Sequence, residues 1–385
     1  MVNMNICILG CGMQGRVIAW DLAKANYHIT VLDANLENFK KLKKLPNIKT
    51  LQLDIQNRQK LVKLLKKFDI VVDALPSSLG FYSMKCAVDA GIDMVDISFI
   101  PEDAFELNKI AKAKKIKVVP DAGFAPGLSN VLVGEAYQEL KPIENVRILV
   151  GGIPQHLIPP FNYRITWSPA DLIEEYLRPA RIRRDFKTVT IDALSGLEEF
   201  NLGKIEKLEC FYTDGLRTLL KTFKDIRNME EKTIRYPGHA NLFKMIIDCG
   251  FLSDLPIKVD GGDVLPKKVA LEVLRPLLSQ GDEKDMTILI VEVSPSPLPS
   301  PASGEGVREG GKSIKRYICI DYYDERNKIT SMERMTGYTC SIITQCIKDY
   351  PGFGVIPPEY LGMDNNLCSF IKNQLKERGI IIRMR

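Results

Sequence analysis

The sequence predicts an α/β protein: an N-terminal doubly wound parallel sheet, followed by a central α+β domain with a mostly antiparallel sheet. Three observations carry this expectation. The first ~120 residues alternate aliphatic strands with amphipathic helices over short connections, the pattern of a parallel sheet covered on both faces. Past Asn130 the rhythm changes to runs of strands with few helices between them, as in α+β domains. With 385 residues, the chain exceeds the ~250–300 at which a single core stops growing.

Strands are expected at 6–10, 28–32, 48–53, 70–74, 94–97 and 117–119, and helices at 14–25, 35–42, 58–68, 80–90 and 101–114. In "KLVKLLKKFD", Leu61, Leu64, Leu65 and Phe68 recur at helical spacing, which leaves the lysines on a solvated face. A helix over 128–139 follows. Then come the strand segments "ENVRILVGGI", "TVTIDAL", "EKLECFYTDG", "EKTIRYPG", "MTILIVEV" and "KRYICIDYYD". Between the last two lies "SPSPLPSPASGEGVREGGK", which buries almost nothing and is either a linker or an expanded hairpin tip. The alternation of its flanking strands favours a disordered insertion, 294–312, at a hairpin tip. Two helices, "GYTCSIITQCIKD" and "NLCSFIKNQLKERG", flank a "GVIPPEYLG" loop and are expected to return to the first domain. The expected limits are 1–122 for the first domain, 123–336 for the central domain and 337–385 for the returning helices.

An apolar fraction of 45% and a charged fraction of 26% are those of an ordinary globular protein. The lysine clusters carry no interleaved aromatics, so a nucleic-acid partner is not expected. Nine cysteines stand at irregular spacings with no CxxC and no nearby histidine, which argues for reduced thiols and against a metal. The N-terminus runs straight into a strand and no apolar run approaches ~20 residues, so a cytoplasmic protein without a membrane contact is expected.

"ILGCGMQGRVIAWDLA" sets Gly10, Gly12 and Gly15 as G-x-G-x-x-G at a strand–helix junction, with Met13 and Gln14 between the last two glycines. The first glycine permits the tight turn, the second a close approach to a pyrophosphate, and the third close helix–strand packing. The second strand ends at Asp33, 18 positions past Gly15, where a carboxylate meets ribose hydroxyls and repels a 2′-phosphate. Ala34 and Asn35 follow without an arginine, so NAD is the expected cofactor in a Rossmann domain. Asp54 either meets the adenine or caps the next helix. Ala74, Leu75 and Pro76 are expected beside the cofactor at the carboxyl edge of the sheet.

Two further strands end at that edge in polar residues, Asp96 with Ser98 and Asp121. The central domain offers "FNYRITWSP", "FYTDGLRTL" and "RYPGHANL", a composition suited to a small zwitterion. Arg164, Arg217 and Arg235 are candidates to grip a carboxylate bidentately, and Asp96, Asp121 or Asp214 to face an ammonium. Plainer roles stand beside these. Asp214 with Gly215 reads as a turn, Asp121 as a strand terminator, Tyr163 and Trp167 as core aromatics, and His239 as a surface or structural histidine.

These motifs together with "VVDALP", "VDIS", "PDAGFAPGLSN", "KTIRYPGH" and "GVIPPE…IKNQLKERGI" resemble the saccharopine dehydrogenase-like family, and within it most closely the shorter L-lysine 6-dehydrogenases. The resemblance implies a Rossmann domain completed by the C-terminal tail, and a central domain for substrate contacts and a homodimer or homotetramer interface. It implies substrate contacts at Ser98 and Phe99, at Asp121, and at Thr213 with Asp214, besides the candidates Tyr163, Arg164, Arg217, Arg235 and His239. Relatives carry Asp-Pro-Gly where this chain has Asp121-Ala122-Gly123, a departure that steers the expectation from saccharopine towards lysine. The implied activity is NAD-dependent oxidative deamination of L-lysine at the ε-carbon, with Asp121 and Asp96 as candidates to position the amine or accept its proton. Saccharopine dehydrogenase is the alternative, and a non-catalytic NAD-sensing module the second.

Overall fold

Runs such as "NICIL" and "IVVD" bury nearly every residue, which requires cover on both faces of a sheet. The computed structural model describes residues 4–165, 169–203, 205–279, 281, 283–296 and 313–385; Trp167 and residues 297–312 of the insertion lie outside the described residues. In chain order the first elements are β1 (Asn5–Leu9), α1 (Met13–Lys24), β2 (His28–Asp33), α2 (Leu36–Lys40), β3 (Ile48–Gln52), α3 (Arg58–Leu65), β4 (Ile70–Asp73), α4 (Ser77–Ala90), β5 (Asp93–Asp96), α5 (Asn108–Ala113), β6 (Lys117–Val119) and α6 (Leu128–Leu140). Side chains of Asn35 and Asn57 cap α2 and α3, and Gly91 ends α4 in the left-handed conformation that glycine adopts without penalty. The helix expected over 101–114 is shorter and broken. The Asp103 carboxylate accepts from Phe105 N–H and starts a 3₁₀ turn, Ala104–Leu107, ahead of α5.

The middle of the chain supplies β7 (Ile143–Pro154), α7 (Pro169–Leu177), β8 (Ala180–Arg184), β9 (Lys187–Ile191), β10 (Glu198–Leu202), β11 (Ile205–Tyr212), α8 (Leu219–Thr222), β12 (Asn228–Arg235), α9 (His239–Asp248), β13 (Ile257–Val259), β14 (Gly262–Val264), α10 (Pro266–Leu278), β15 (Asp285–Pro295) and β16 (Lys315–Tyr322). The tail adds α11 (Ser331–Cys346), β17 (Gly354–Val355), α12 (Pro358–Met363), α13 (Asn365–Glu377) and β18 (Ile382–Met384).

Two large sheets result. The first is seven-stranded and parallel, in the order β17-β6-β5-β4-β1-β2-β3. The second runs β10-β11-β12-β7-β15-β16-β18, with β8 and β9 attached at β12. It is antiparallel at β10–β11, β11–β12, β7–β15 and β15–β16, and parallel between β12 and β7. Because β15 and β16 are antiparallel neighbours, with Val293 opposite Lys315, the Pro-Ser-Gly insertion joins the two arms of a hairpin.

The chain divides into two units, Met1–Glu139 with Met332–Ile382, and Leu140–Ser331 with Arg383–Arg385. The first boundary lies beyond the expected 122 because α6 packs with the tail. A Cβ on Gly134 would strike the Glu359 backbone in α12, and one on Gly362 would strike that of Val131. The second boundary precedes 337 because α11 begins at Ser331 and its Gly337 lies against Val17 of α1. The "GVIPPEYLG" segment is no simple loop. Gly354 and Val355 form the seventh parallel strand, paired with Lys117 and Val118.

Candidate functional site

In the first unit the strands of the parallel sheet deliver their carboxyl ends to one edge, where its glycine turn and carboxylates sit. Gly10 N–H donates to Leu32 O over 2.8 Å, which folds the turn after β1 against the end of β2. The three glycines have separate reasons. Gly10 sits at φ +94°, and a Cβ there would come within 2.7 Å of Ala74 O. A Cβ on Gly15 would collide with the Gly10 carbonyl. Gly12 is exposed and has nothing within 4 Å of where a Cβ would stand, so its open side can admit a ligand up to the backbone. It also precedes the N-terminus of α1, whose first N–H groups take no side-chain cap. Met13 and Gln14 are half-buried in that turn, and Gln14 Oε1 is a buried acceptor without a hydrogen bond among the described residues.

Asp33 is held in place at the end of β2. Its Oδ2 accepts from Cys11 N–H at 2.7 Å and from Asn38 Nδ2 at 3.0 Å, and its Oδ1 accepts from Asn35 N–H at 2.8 Å. An open helix N-terminus, room at Gly12 and a fixed carboxylate fit a dinucleotide's pyrophosphate and ribose. Asp54 is exposed and folds an Asx turn onto Gln56 N–H at 3.0 Å. The capping alternative for Asp54 is thereby overturned, because Asn57, directly ahead of α3, takes that place. Ala74 and Leu75 are half-buried past β4, and Pro76 is exposed before α4.

Beyond these lies a group of buried carboxyls. Asp73 and Asp96 end neighbouring strands in register and are both fully buried. Asp73 accepts from Leu75 N–H at 2.9 Å and from the Ser83 hydroxyl. Asp96 Oδ1 accepts from Ser98 Oγ at 2.6 Å, while Asp96 Oδ2 makes no hydrogen bond among the described residues. Burial pushes Asp73 up to about 7 against the pull of its hydrogen bonds. Burial and then the neighbouring Asp73 push Asp96 well above the ordinary carboxylate range, with Asp121 adding to the shift. Asp121 reaches this group because Ala122 N–H donates to Asp96 O at 2.7 Å. It is buried and sits at φ 55°, left-handed backbone that a non-glycine residue adopts rarely away from surface turns. Ser98 is buried beside Asp96, and Phe99 is half-buried directly after it. Asp73 escaped the sequence reading. Its one signal was a carboxylate closing the otherwise aliphatic strand "IVVD".

In the second unit, Tyr163, Arg235 and His239 do come together, in the interior. Arg235 Nε donates to Tyr176 Oη at 2.9 Å, its guanidinium lies 4.4 Å from the Tyr163 ring centre, and Glu175 stands 3.7 Å away. Tyr176 Oη lies 2.8 Å from His239 Nε2, and His239 Nδ1 lies 3.0 Å from Phe161 O. A neutral imidazole protonated at Nδ1 completes this chain: Arg235 donates to Tyr176, Tyr176 to His239, and His239 to the carbonyl. Burial and the Arg235 charge hold His239 down to about 3. His239 is thus a structural histidine, 1% exposed, rather than a surface one.

Thr213 Oγ1 lies 3.0 Å from Glu231 Oε2 and 2.8 Å from Thr233 Oγ1. Burial and then Glu175 push Glu231 up to about 8. Asp214 is more than a turn residue: its buried carboxylate accepts from Arg181 N–H at 3.0 Å and from that guanidinium at 2.7 and 2.9 Å. Arg217 is 9% exposed and at φ 51°; burial, and then the nearby Arg217 charge, depress the Arg178 guanidinium. Arg164 turns elsewhere, to Tyr163 O at 2.9 Å and Glu283 at 3.4 Å. Sequence reasoning missed Glu231, inside a segment expected as a strand, and Glu175, Tyr176 and Arg181, in a stretch where no helix or strand was expected.

Among the described residues no group of three or more His, Cys, Asp or Glu could hold a metal ion, and no helix is long and apolar enough to cross a membrane. The family model for the saccharopine dehydrogenase NADP binding domain matches residues 6–119, and that for the saccharopine dehydrogenase C-terminal domain matches 123–380. Mouse alpha-aminoadipic semialdehyde synthase, mitochondrial, is 24% identical over 273 residues, covering 65% of this chain and 28% of the relative. The chain thus spans under a third of that relative's length. Saccharopine dehydrogenase [NADP(+), L-glutamate-forming] of Schizosaccharomyces pombe is 22% identical, covering 87% of this chain and 88% of the relative. The apo L-Glu-forming saccharopine dehydrogenase of Saccharomyces cerevisiae shares the fold, with a TM-score of 0.77 at 20% identity over 100% of this chain and 99% of that one.

Proposed function

The chain belongs to the saccharopine dehydrogenase family, and on that premise we propose that it is a nicotinamide-dependent dehydrogenase oxidising a carbon–nitrogen bond of a lysine-derived amine. One observation carries the reading: a match through both units, in which the first keeps the three-glycine turn and Asp33 in binding geometry. Gly10, Gly12, Met13, Gln14, Gly15 and Asp33 would hold the dinucleotide, with Ala74, Leu75 and Pro76 alongside. NAD is the cofactor we favour, because the Asp33 charge repels a 2′-phosphate. The family description and the fission-yeast relative carry NADP in their names, so both forms are to be titrated.

When bound, the nicotinamide accepts a hydride from the carbon that bears the nitrogen. Asp121 takes the ammonium proton, which frees the nitrogen lone pair to form the imine as that carbon is oxidised. Ser98 orients the nitrogen. Asp96, buried and held towards its neutral form, is poorly suited to accept the proton, so the role falls to Asp121. Water then adds to the imine carbon. From L-lysine the departing group is ammonia, and the semialdehyde left behind cyclises to piperideine-6-carboxylate; from saccharopine the departing group is glutamate. Ala122 in place of proline favours lysine, while the relatives' names favour saccharopine at least as strongly.

A panel of lysine, saccharopine and ornithine with each cofactor, followed by absorbance of the reduced form, separates the two. Reduction of neither cofactor by any amine would sink the dehydrogenase reading and leave a nucleotide-binding module. Asp121→Asn should lower turnover about 100-fold with cofactor affinity unchanged; equal loss of both, or of neither, removes Asp121 from this role.

A further inference from the structure

The pair Asp73 and Asp96 is unusual for what surrounds it. Parallel neighbours in register place the two carboxyls side by side, about one inter-strand spacing (~4.8 Å) apart. Both are fully buried. The titratable groups that bear on them are the Cys7 thiol from β1, the Cys340 thiol from α11, and Asp121 after β6. Ser83 of α4 and Ser98 beyond β5 contribute hydroxyls, and Leu75 an N–H. None of these is a cation. Burial raises both thiols and keeps them neutral, so they supply no charge either. Two buried carboxyls this close, without a counter-charge, cannot both ionise near neutrality.

We propose that Asp73 is a positioning residue, which keeps one proton shared with Asp96 and thereby sets the charge behind Ser98 and Asp121 when an amine arrives. The pair carries at most one negative charge near neutrality. Asp96 keeps its Oδ1 on the Ser98 hydroxyl whichever partner holds the proton. Asp121, joined to Asp96 through Ala122 N–H, feels the charge of the pair rather than of either member. This rests on the reading of the site as an amine dehydrogenase, and the test therefore has one arm that needs no substrate.

The first arm compares thermal stability of the intact protein and of Asp73→Asn from pH 5 to pH 9. A carboxyl whose folded pKa is raised costs stability as pH climbs through that value, and asparagine removes this cost. Asp73→Asn should therefore gain on the wild type by several degrees as pH rises, whatever its offset at pH 5. A purely structural role for Asp73 gives an offset that does not change with pH, and would overturn the proposal. The second arm follows kcat and KM against pH with the best amine of the panel. Asp73→Asn should displace the limb nearest neutrality by one pH unit or more, with KM and cofactor Kd changed less than threefold. Superimposable profiles would also overturn the proposal. If no amine is oxidised at all, the functional reading fails, while the stability arm still decides the shared proton.

Discussion

Gly12 and Gly15 share a motif and differ in what surrounds them, so the same substitution separates binding from folding. At Gly15 a new Cβ meets the Gly10 carbonyl, so Gly15→Ala must push α1 away from β1. A loss of about 1–3 kcal/mol is expected in denaturant titration, as for other overpacked sites. At Gly12 there is room, and Gly12→Ala should leave stability within about 1 kcal/mol. Cofactor affinity should nevertheless fall at least tenfold by fluorescence titration, because the methyl takes the space that a pyrophosphate needs. The motif was legible here because glycine spacing reports a local backbone need. Asp73 was not, since a lone carboxylate after aliphatic residues has no local meaning until β5 brings Asp96 beside it.

At the scale of elements, long aliphatic segments announced themselves and short ones did not. All six strands expected in the first 120 residues are present, whereas β17, two residues long, carries no period to read. The Asp214–Gly215 turn shows the same limit. Its carboxylate is taken by Arg181, 33 positions upstream on β8, a partner chosen by sheet pairing rather than by sequence distance. Arg181 thus ties β8 to the segment after β11. Its side chain is 41% exposed and that of Asp214 is 2%, so solvent screens the cation far more than the carboxylate. Arg181→Ala should cost about 1–3 kcal/mol, mostly by leaving Asp214 buried and short of donors. Arg181→Lys should recover only part, because an ammonium cannot reproduce the two-pronged contact. Equal stability of wild type and Arg181→Ala in urea titration would refute this.

At the scale of the whole molecule, the second unit adds two buried groups whose contributions to stability run in opposite directions with pH. His239 is depressed from 6.5 to about 3, so its contribution is complete above pH 6.5 and is lost as pH falls towards 3. Glu231 is raised from 4.5 to about 8, so its contribution is complete below pH 4.5 and is lost as pH rises towards 8. Between pH 4.5 and 6.5 these two slopes cancel, so the fall left in that window is the one set by the raised Asp73 and Asp96. His239→Gln should steepen the fall with rising pH in that window, and Glu231→Gln should lessen it. Melting curves at half-unit steps read both, and unchanged slopes in either variant would contradict the assignment. None of this was legible in the sequence, where His239 had a surface alternative and Glu231 lay unremarked in a strand.

The first unit draws on both ends of the chain, with β17 and α11 coming from the tail while Leu140–Ser331 intervenes. During synthesis, the whole of that intervening segment leaves the ribosome before the last strand of the parallel sheet exists. The nascent nucleotide-binding half must therefore wait, with the β6 edge and the groove for α11 uncovered, until the segment from Met332 onwards emerges. A chaperone that recognises unpaired strand edges would find its substrate here, in a protein whose finished fold leaves that edge closed.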